Sequence, residues 1–231
     1  MKYVFITGGV ASCLARLGKK VLCIDMDIGL RNLDISLGLN DRALMDFSDV
    51  ALGRCPLDRA AVSHPDLPGL FLLTAPMTLS PALTGERVRA LLSAARERYD
   101  YIMIDSPAGL GPGFRLAVCG ADRALVVATN DASSLRDAQR TVEELSQLRQ
   151  VHLVMNRIQP KLLRQLRTTI DDAMDAAGLP LIGVIPEDRR VILSANLGIP
   201  LVLENNRGAV TACANIAKRI EGHRVPIMRI R

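Results

Sequence analysis

Three apolar runs in this sequence end in residues able to hold a metal–phosphate group. The first ends Ile6-Thr7 and meets Gly8-Gly9-Val10, a short glycine turn. The second ends Ile24-Asp25-Met26-Asp27-Ile28-Gly29, and a third ends Ile104-Asp105-Ser106-Pro107-Ala108-Gly109. Carboxylates just past parallel strands, beside a glycine turn, can form a Mg²⁺–phosphate pocket. Mg²⁺ takes one or two carboxylates and completes its octahedron with water and phosphate oxygens. A lone Asp after a strand more often only caps a turn. The weight lies in three such ends converging.

Strands must bring them together. Apolar, β-branched runs predict strands at Tyr3–Thr7, Val21–Asp25, Leu70–Ala75, Tyr101–Asp105, Ala124–Thr129, His152–Asn156, Leu181–Ile185 and Leu201–Leu203. Their hydrophobicity is continuous rather than alternating, as in strands buried on both faces. Helical periodicity predicts helices over Gly85–Arg98, Ser134–Leu148, Lys161–Ala177 and Gly208–Glu221. Thr84 can cap the first of these and Ser133 or Ser134 the second; Gly178 and Pro180 stop the third. Along that third helix Leu162, Leu166, Ile170 and Met174 read as a core stripe. Strand–helix alternation throughout implies an α/β fold, a doubly wound, mainly parallel sheet with helices on both faces. Its site should lie at the carboxyl ends of the strands.

Composition narrows the class. The chain has 231 residues, 49% hydrophobic and 3% aromatic, with no Trp, so its core is aliphatic and disorder is excluded. No apolar run approaches the ~18–20 residues of a membrane-spanning helix. The five cysteines are scattered without a C-x-x-C pair, which suits a reducing cytosol and argues against a zinc site. Val10-Ala11-Ser12-Cys13 has the look of a lipoprotein cleavage box, but one preceding cation and a stretch broken by Gly8-Gly9 argue against it. The net charge of +5 is concentrated at the end: Lys218, Arg219, Arg224, Arg229 and Arg231 oppose only Glu221. That is a basic tail, not a nucleic-acid-binding body.

Asp25-Met26-Asp27-Ile28-Gly29-Leu30-Arg31-Asn32-Leu33-Asp34 resembles the signature of the deviant-Walker MinD/ParA ATPases, which belong to the P-loop NTPases. Asp105-Ser106-Pro107-Ala108-Gly109 resembles the family's Walker B and switch II segment. Met155-Asn156-Arg157, Gly183-Val184-Ile185-Pro186-Glu187-Asp188 and Ser194-Ala195-Asn196-Leu197-Gly198-Ile199-Pro200 keep the family's order. The resemblance implies ATP and Mg²⁺ as cofactors. Asp27 would orient the attacking water, Asp105 would hold Mg²⁺ through water, and Gly109 would sense the γ-phosphate. Gly8, Gly9 and Val10 would be what remains of the phosphate loop. Asn156 would hydrogen-bond adenine, with the turn from Pro186 to Asp188 closing over the base. An Asn amide offers the donor and acceptor that adenine's edge requires, though an Asn after a strand can equally be a helix N-cap.

The family's loop reads roughly Lys-Gly-Gly-Val-Gly-Lys-Thr, and here about nine residues are absent from it, the two lysines and the Mg²⁺-ligating Thr among them. The segment after Val10 should form a shortened first helix over Ala11–Leu17, about two turns. Lys19 and Lys20 precede the second strand, at the opposite sheet edge, and cannot substitute. ATP binding and hydrolysis are therefore expected to be impaired, either in a natural variant or through a deletion in the sequence.

The resemblance divides the chain into a nucleotide-binding domain over 1–215 and a basic amphipathic tail over 216–231. Ile216, Ile220, Ile227, Met228 and Ile230 accompany the tail cations, a mix suited to an anionic membrane surface. The implied function is spatial regulation of bacterial division by septum placement. It brings a MinC-like inhibitor, a MinE-like activator, a homodimer and a cytoplasmic or peripheral inner-membrane location, with no nucleic-acid partner. The alternatives are a nucleotide-independent interaction module and an FlhG-type flagellar-number regulator.

Overall fold

Val21–Asp25 (β1) and Tyr101–Asp105 (β4) lie parallel and in register, Val21 beside Tyr101 and Asp25 beside Asp105, as their unbroken apolar sequences require. The computed structural model describes residues 4–40, 42–204 and 206–228. Their contacts divide into two units, residues 1–120 with 190–205 and residues 121–189 with 206–231.

In the first unit the order is α1 (Val4–Arg16), β1, α2 (Leu33–Ser36), α3 (Phe47–Ala51), α4 (Leu57–Ala60), β2 (Val62–Ser63), β3 (Leu70–Leu73), α5 (Gly85–Arg96), β4 and α6 (Pro112–Val118). A four-stranded sheet forms in the order β2-β3-β1-β4, parallel except for the short β2 edge. Leu22 and Ile24 of β1 pack into a fully buried cluster with Phe47, Val88, Leu91 and Leu92 from α3 and α5. Thr84 caps α5 by accepting from Arg87 N–H, as expected. His64 accepts from the N–H groups of Asp66 and Leu67 at Nδ1, so its Nε2 carries the proton and donates to the Leu37 carbonyl.

The second unit holds β5 (Arg123–Ala128), α7 (Ala132–Glu144), β6 (Gln150–Ile158), α8 (Pro160–Leu166), α9 (Ile170–Ala177) and β7 (Leu181–Pro186). Then α10 (Arg189–Leu197) and α11 (Leu201–Glu204) precede α12 (Ala209–Ile220), which packs on β7. The order β5-β6-β7 makes a parallel three-stranded sheet. Mainly parallel sheets flanked by helices confirm the α/β reading.

Several expectations need correcting. Tyr3–Thr7 is not a strand: its described part, Val4–Thr7, opens the 13-residue helix α1, and Tyr3 lies outside the described residues. Only residues 8–20 separate Thr7 from Val21, barely a strand-to-strand crossover. A helix closes its own hydrogen bonds over the whole segment and buries Ile6, Val10, Ala11 and Leu14. The first helix is therefore not the Ala11–Leu17 remnant. Leu201–Leu203 is helical, because Pro200 starts a turn in which Leu203 N–H bonds its carbonyl. The helix expected over Lys161–Ala177 breaks where Arg167 turns left-handed (φ 53°) and Thr169 and Asp172 form a capping box that starts α9. Its stripe is no core stripe, since Leu162 and Leu166 are 41% and 50% exposed. The cap of α7 is Asp131, not Ser133 or Ser134.

Candidate functional site

At the rim of the four-stranded sheet, the end of β1 is an ordered acidic turn. Asp25 is buried; its Oδ1 accepts from Asp27 N–H at 2.9 Å and its Oδ2 from Leu33 N–H at 3.2 Å. The Asp27 carbonyl accepts from Leu30 and Arg31 N–H, and Arg31, held at φ 45°, pairs with Asp34. The backbone at Met26 donates to the Asp105 carbonyl at 2.9 Å, tying the two strand ends together. So Asp27, half-buried, and Asp105, 3% exposed, share one rim. Gly109 follows, exposed, at φ 82° in the left-handed region where a side chain would be strained.

Sequence reasoning placed Asp25 and Thr7 at the strand ends but gave neither a role of its own. Thr7 Oγ1 donates to Asp105 Oδ1 at 2.5 Å from within α1. Burial pushes the Asp105 carboxyl up to about 7; the Thr7 hydrogen bond pulls it down, and the Asp25 and Asp27 charges push it further up. Burial likewise pushes Asp25 up to about 6, against its two backbone hydrogen bonds. Among the described residues, no cation is a cause of either shift. The in-register Asp25–Asp105 pair was the signal in the sequence.

The cations stand elsewhere. Lys20 lies at the amino end of β1, its N–H donating to Asp100 and its ammonium over the Phe71 and Tyr99 rings at 5.5 and 5.0 Å. Arg16 donates to the Val202 carbonyl. Both observations agree with the expectation that the residues around Lys19 and Lys20 cannot serve the acidic rim.

The expected phosphate-binding turn is absent. Gly8, Gly9 and Val10 sit inside α1, past the first four positions, so their N–H groups serve intrahelical hydrogen bonds and cannot cradle an anion. Gly8 instead lets α1 lie against α2; a Cβ there would meet Leu37 Cδ2 at 3.2 Å. The roles expected of Gly8, Gly9 and Val10 fall with the turn.

In the second unit, Asn156, Pro186 and Asp188 gather at the carboxyl ends of β6 and β7, where Ile158 pairs with Pro186. Asn156 is buried, and its Oδ1 accepts from Arg157 N–H at 2.9 Å. Arg157 Nε meets Glu187 Oε2 at 2.8 Å, and Glu187 N–H bonds the Ile158 carbonyl. Asp188 Oδ2 accepts from Ala209 N–H at the start of α12. An amide beside a turn has the donor and acceptor that a base edge requires, and here its oxygen is engaged by Arg157 N–H. The rim of the first unit does not fit a polyphosphate: among the described residues the nearby Arg31 is paired with Asp34, and Gly8–Val10 offer no free backbone cradle. Among the described residues no group of three His, Cys, Asp or Glu could hold a metal ion.

At the carboxyl end, the expected boundary at 216 falls inside unbroken α12. Ile216 is fully buried against Gly183 of β7, so it is a core residue and not a membrane contact. Ile220 is half-buried, Ile227 is 40% exposed and Met228 is half-buried. Ile230 lies outside the described residues. Arg219 donates to the Ile182, Val225 and Pro226 carbonyls, fixing the segment after α12. Among the described residues, no helix is long and apolar enough to cross a membrane.

A sequence profile of the CobQ/CobB/MinD/ParA nucleotide binding domain matches residues 5–201. The septum site-determining protein MinD of Synechocystis sp. is 39% identical over 227 residues, covering 96% of this chain and 85% of that protein. MinD of Bacillus subtilis is 37% identical with the same coverage. The solved MinC:MinD cell division protein complex of Aquifex aeolicus includes a chain that superposes with a TM-score of 0.91 at 36% identity. The match covers 98% of this chain and 93% of that one.

Proposed function

The chain belongs to the CobQ/CobB/MinD/ParA family of nucleotide-binding domains, and on that premise we propose that it is a MinD-like spatial regulator of septum placement with impaired nucleotide handling. The observation that carries the reading is the likeness to MinD proteins over nearly the whole chain. Because the relative in the Aquifex complex is bound to MinC, the partner proposed here is a division inhibitor of the MinC class.

Within the second unit, Asn156 and the turn from Pro186 to Asp188 would meet an adenine; within the first, Asp105 and Gly109 keep the family's residue types at a rim that lacks the phosphate loop. By the family resemblance, Asp27 would be the group that orients water. No hydrolytic step is derived, because nothing replaces the phosphate cradle. The helical state of Gly8–Val10 and the Thr7–Asp105 hydrogen bond favour the nucleotide-independent interaction module over the ATP switch. The nucleotide-sandwiched dimer depends on bound ATP, and the reading does not extend to it or to a MinE-like activator. Membrane contact is assigned to the residues beyond Gly222, where Ile227 and Met228 accompany Arg224, Arg229 and Arg231; such a short segment binds anionic lipid weakly.

Gel filtration with the Aquifex MinC tests the reading. A co-eluting complex is expected with and without Mg·ATP. Failure to co-elute in either condition refutes the proposal.

A further inference from the structure

α8 is a helix in which no residue is buried. Pro160 and Leu163 are half-buried and hold α8 to its unit, which leaves its opposite side open to a partner surface. Its side chains divide by face. Leu162 and Leu166, four apart, project together and stay largely exposed, while Lys161, Arg164 and Arg167 flank them. Residues 157–170 contain four cations and no acid. Arg157 is taken by Glu187. None of Lys161, Arg164 or Arg167 makes an ion pair with a described residue.

The neighbouring side of α8, that of Leu163, borders the C-terminal segment. A groove of about 480 Å³ is lined by Leu163 of α8, Met174 of α9, Val184 of β7, and Ile227 and Met228 of the C-terminal segment. Asp171 stands at this groove too, whereas Asp172 is engaged with Thr169. Asp171 and the ionised Asp172 lie on the α9 side, while the α8 side carries Leu162 and Leu166 bordered by three cations, which complements a surface that is anionic outside and apolar within.

We propose that α8 is a second contact for an anionic lipid surface, seated beside the C-terminal segment, with Leu162 and Leu166 entering the acyl boundary and Lys161, Arg164 and Arg167 meeting the headgroups. This rests on the reading of the C-terminal residues as lipid-directed. The two contacts lie in one unit, so binding through one raises the effective concentration of the other.

The test is sedimentation of the full chain with phosphatidylglycerol-containing vesicles and with pure phosphatidylcholine vesicles. Arg164→Gln with Arg167→Gln is expected to weaken binding to the anionic vesicles about thirtyfold and to flatten its salt dependence. Leu162→Ser with Leu166→Ser should weaken it about tenfold with the salt dependence kept. If either pair lowers the melting temperature, Lys161→Glu, a single exposed change, carries the same test, with an expected loss of at least fivefold. A chain ending at Gly222 separates the two readings. If it binds as well as the full chain while the α8 pairs lose binding, the C-terminal reading fails and α8 stands. If it loses all binding while the α8 pairs match the parent, the proposal is overturned. Equal pelleting with neutral vesicles overturns it, as does no binding by the parent chain. Unchanged lipid binding with loss of self-association overturns it in favour of a contact between copies.

Discussion

Ile216 separates two accounts of the C-terminal helix by stability alone. Sequence pattern makes it an exposed anchor; the structure buries it completely, with a Cβ added at Gly183 lying only 2.3 Å from its Cγ1. Removing a buried isoleucine side chain to Ala costs about 2–5 kcal/mol, from lost transfer energy and the cavity left behind. In a chain of this length each kcal/mol moves the melting temperature by roughly 2–4 °C, so Ile216→Ala should melt about 4–20 °C lower. The partner position sharpens the test. Gly183→Ala alone forces Ile216 aside and should cost about 1–3 kcal/mol. In the double variant the new methyl enters the vacated space, so the pair should lose less than the sum of the singles. Thermal melts by circular dichroism, with vesicle sedimentation alongside, read all three variants. An Ile216→Ala protein that melts like its parent but no longer pellets with anionic vesicles would refute the burial argument.

Other consequences concern the first unit. Because burial raises the Asp105 carboxyl to about 7 from an unfolded value near 3.8, the folded state binds the extra proton between those values. Stability should then fall as pH rises through that window, by on the order of 4 kcal/mol, and Asp105→Asn should remove the fall. Melts from pH 4.5 to 8 check it through the difference between parent and variant; a difference that does not change with pH contradicts it. Ser12 Oγ is buried in α1 with no hydrogen-bond partner among the described residues; Ser12→Ala should therefore raise stability by about 1 kcal/mol, measured by urea unfolding, and a loss would contradict this. Inserting a full Lys-Gly-Gly-Val-Gly-Lys-Thr loop at Gly8–Val10 should convert the preceding helix to strand and create ATP binding. If the repaired chain still ignores ATP, the missing loop is not the whole defect.

Most of the scaffold was legible because its strands announce themselves. Val21–Asp25 and Tyr101–Asp105 are short, unbroken apolar runs closed by Asp, and both form with the expected bounds. The family signature around Asp25–Asp34 and Asp105–Gly109 pointed to two strand ends that the structure places side by side. What failed was decided by chain length or by local polar competition. The Tyr3–Thr7 run has strand composition, but the short connection to Val21 lets a helix absorb Val4–Thr7. Leu162, Leu166, Ile170 and Met174 keep a four-residue spacing across a break that Thr169 and Asp172 impose; that capping pair was readable and was outweighed by the apolar pattern. Thr7 gave no signal, because its value to Asp105 arises only once residues 4–16 are helical.

The central claim is that the acidic rim of Asp25, Asp27 and Asp105 has no cradle for a polyphosphate. Isothermal titration of the full chain with Mg·ATP tests it most directly. No binding heat is expected up to millimolar nucleotide. A micromolar dissociation constant that disappears in Asp105→Ala would contradict the claim.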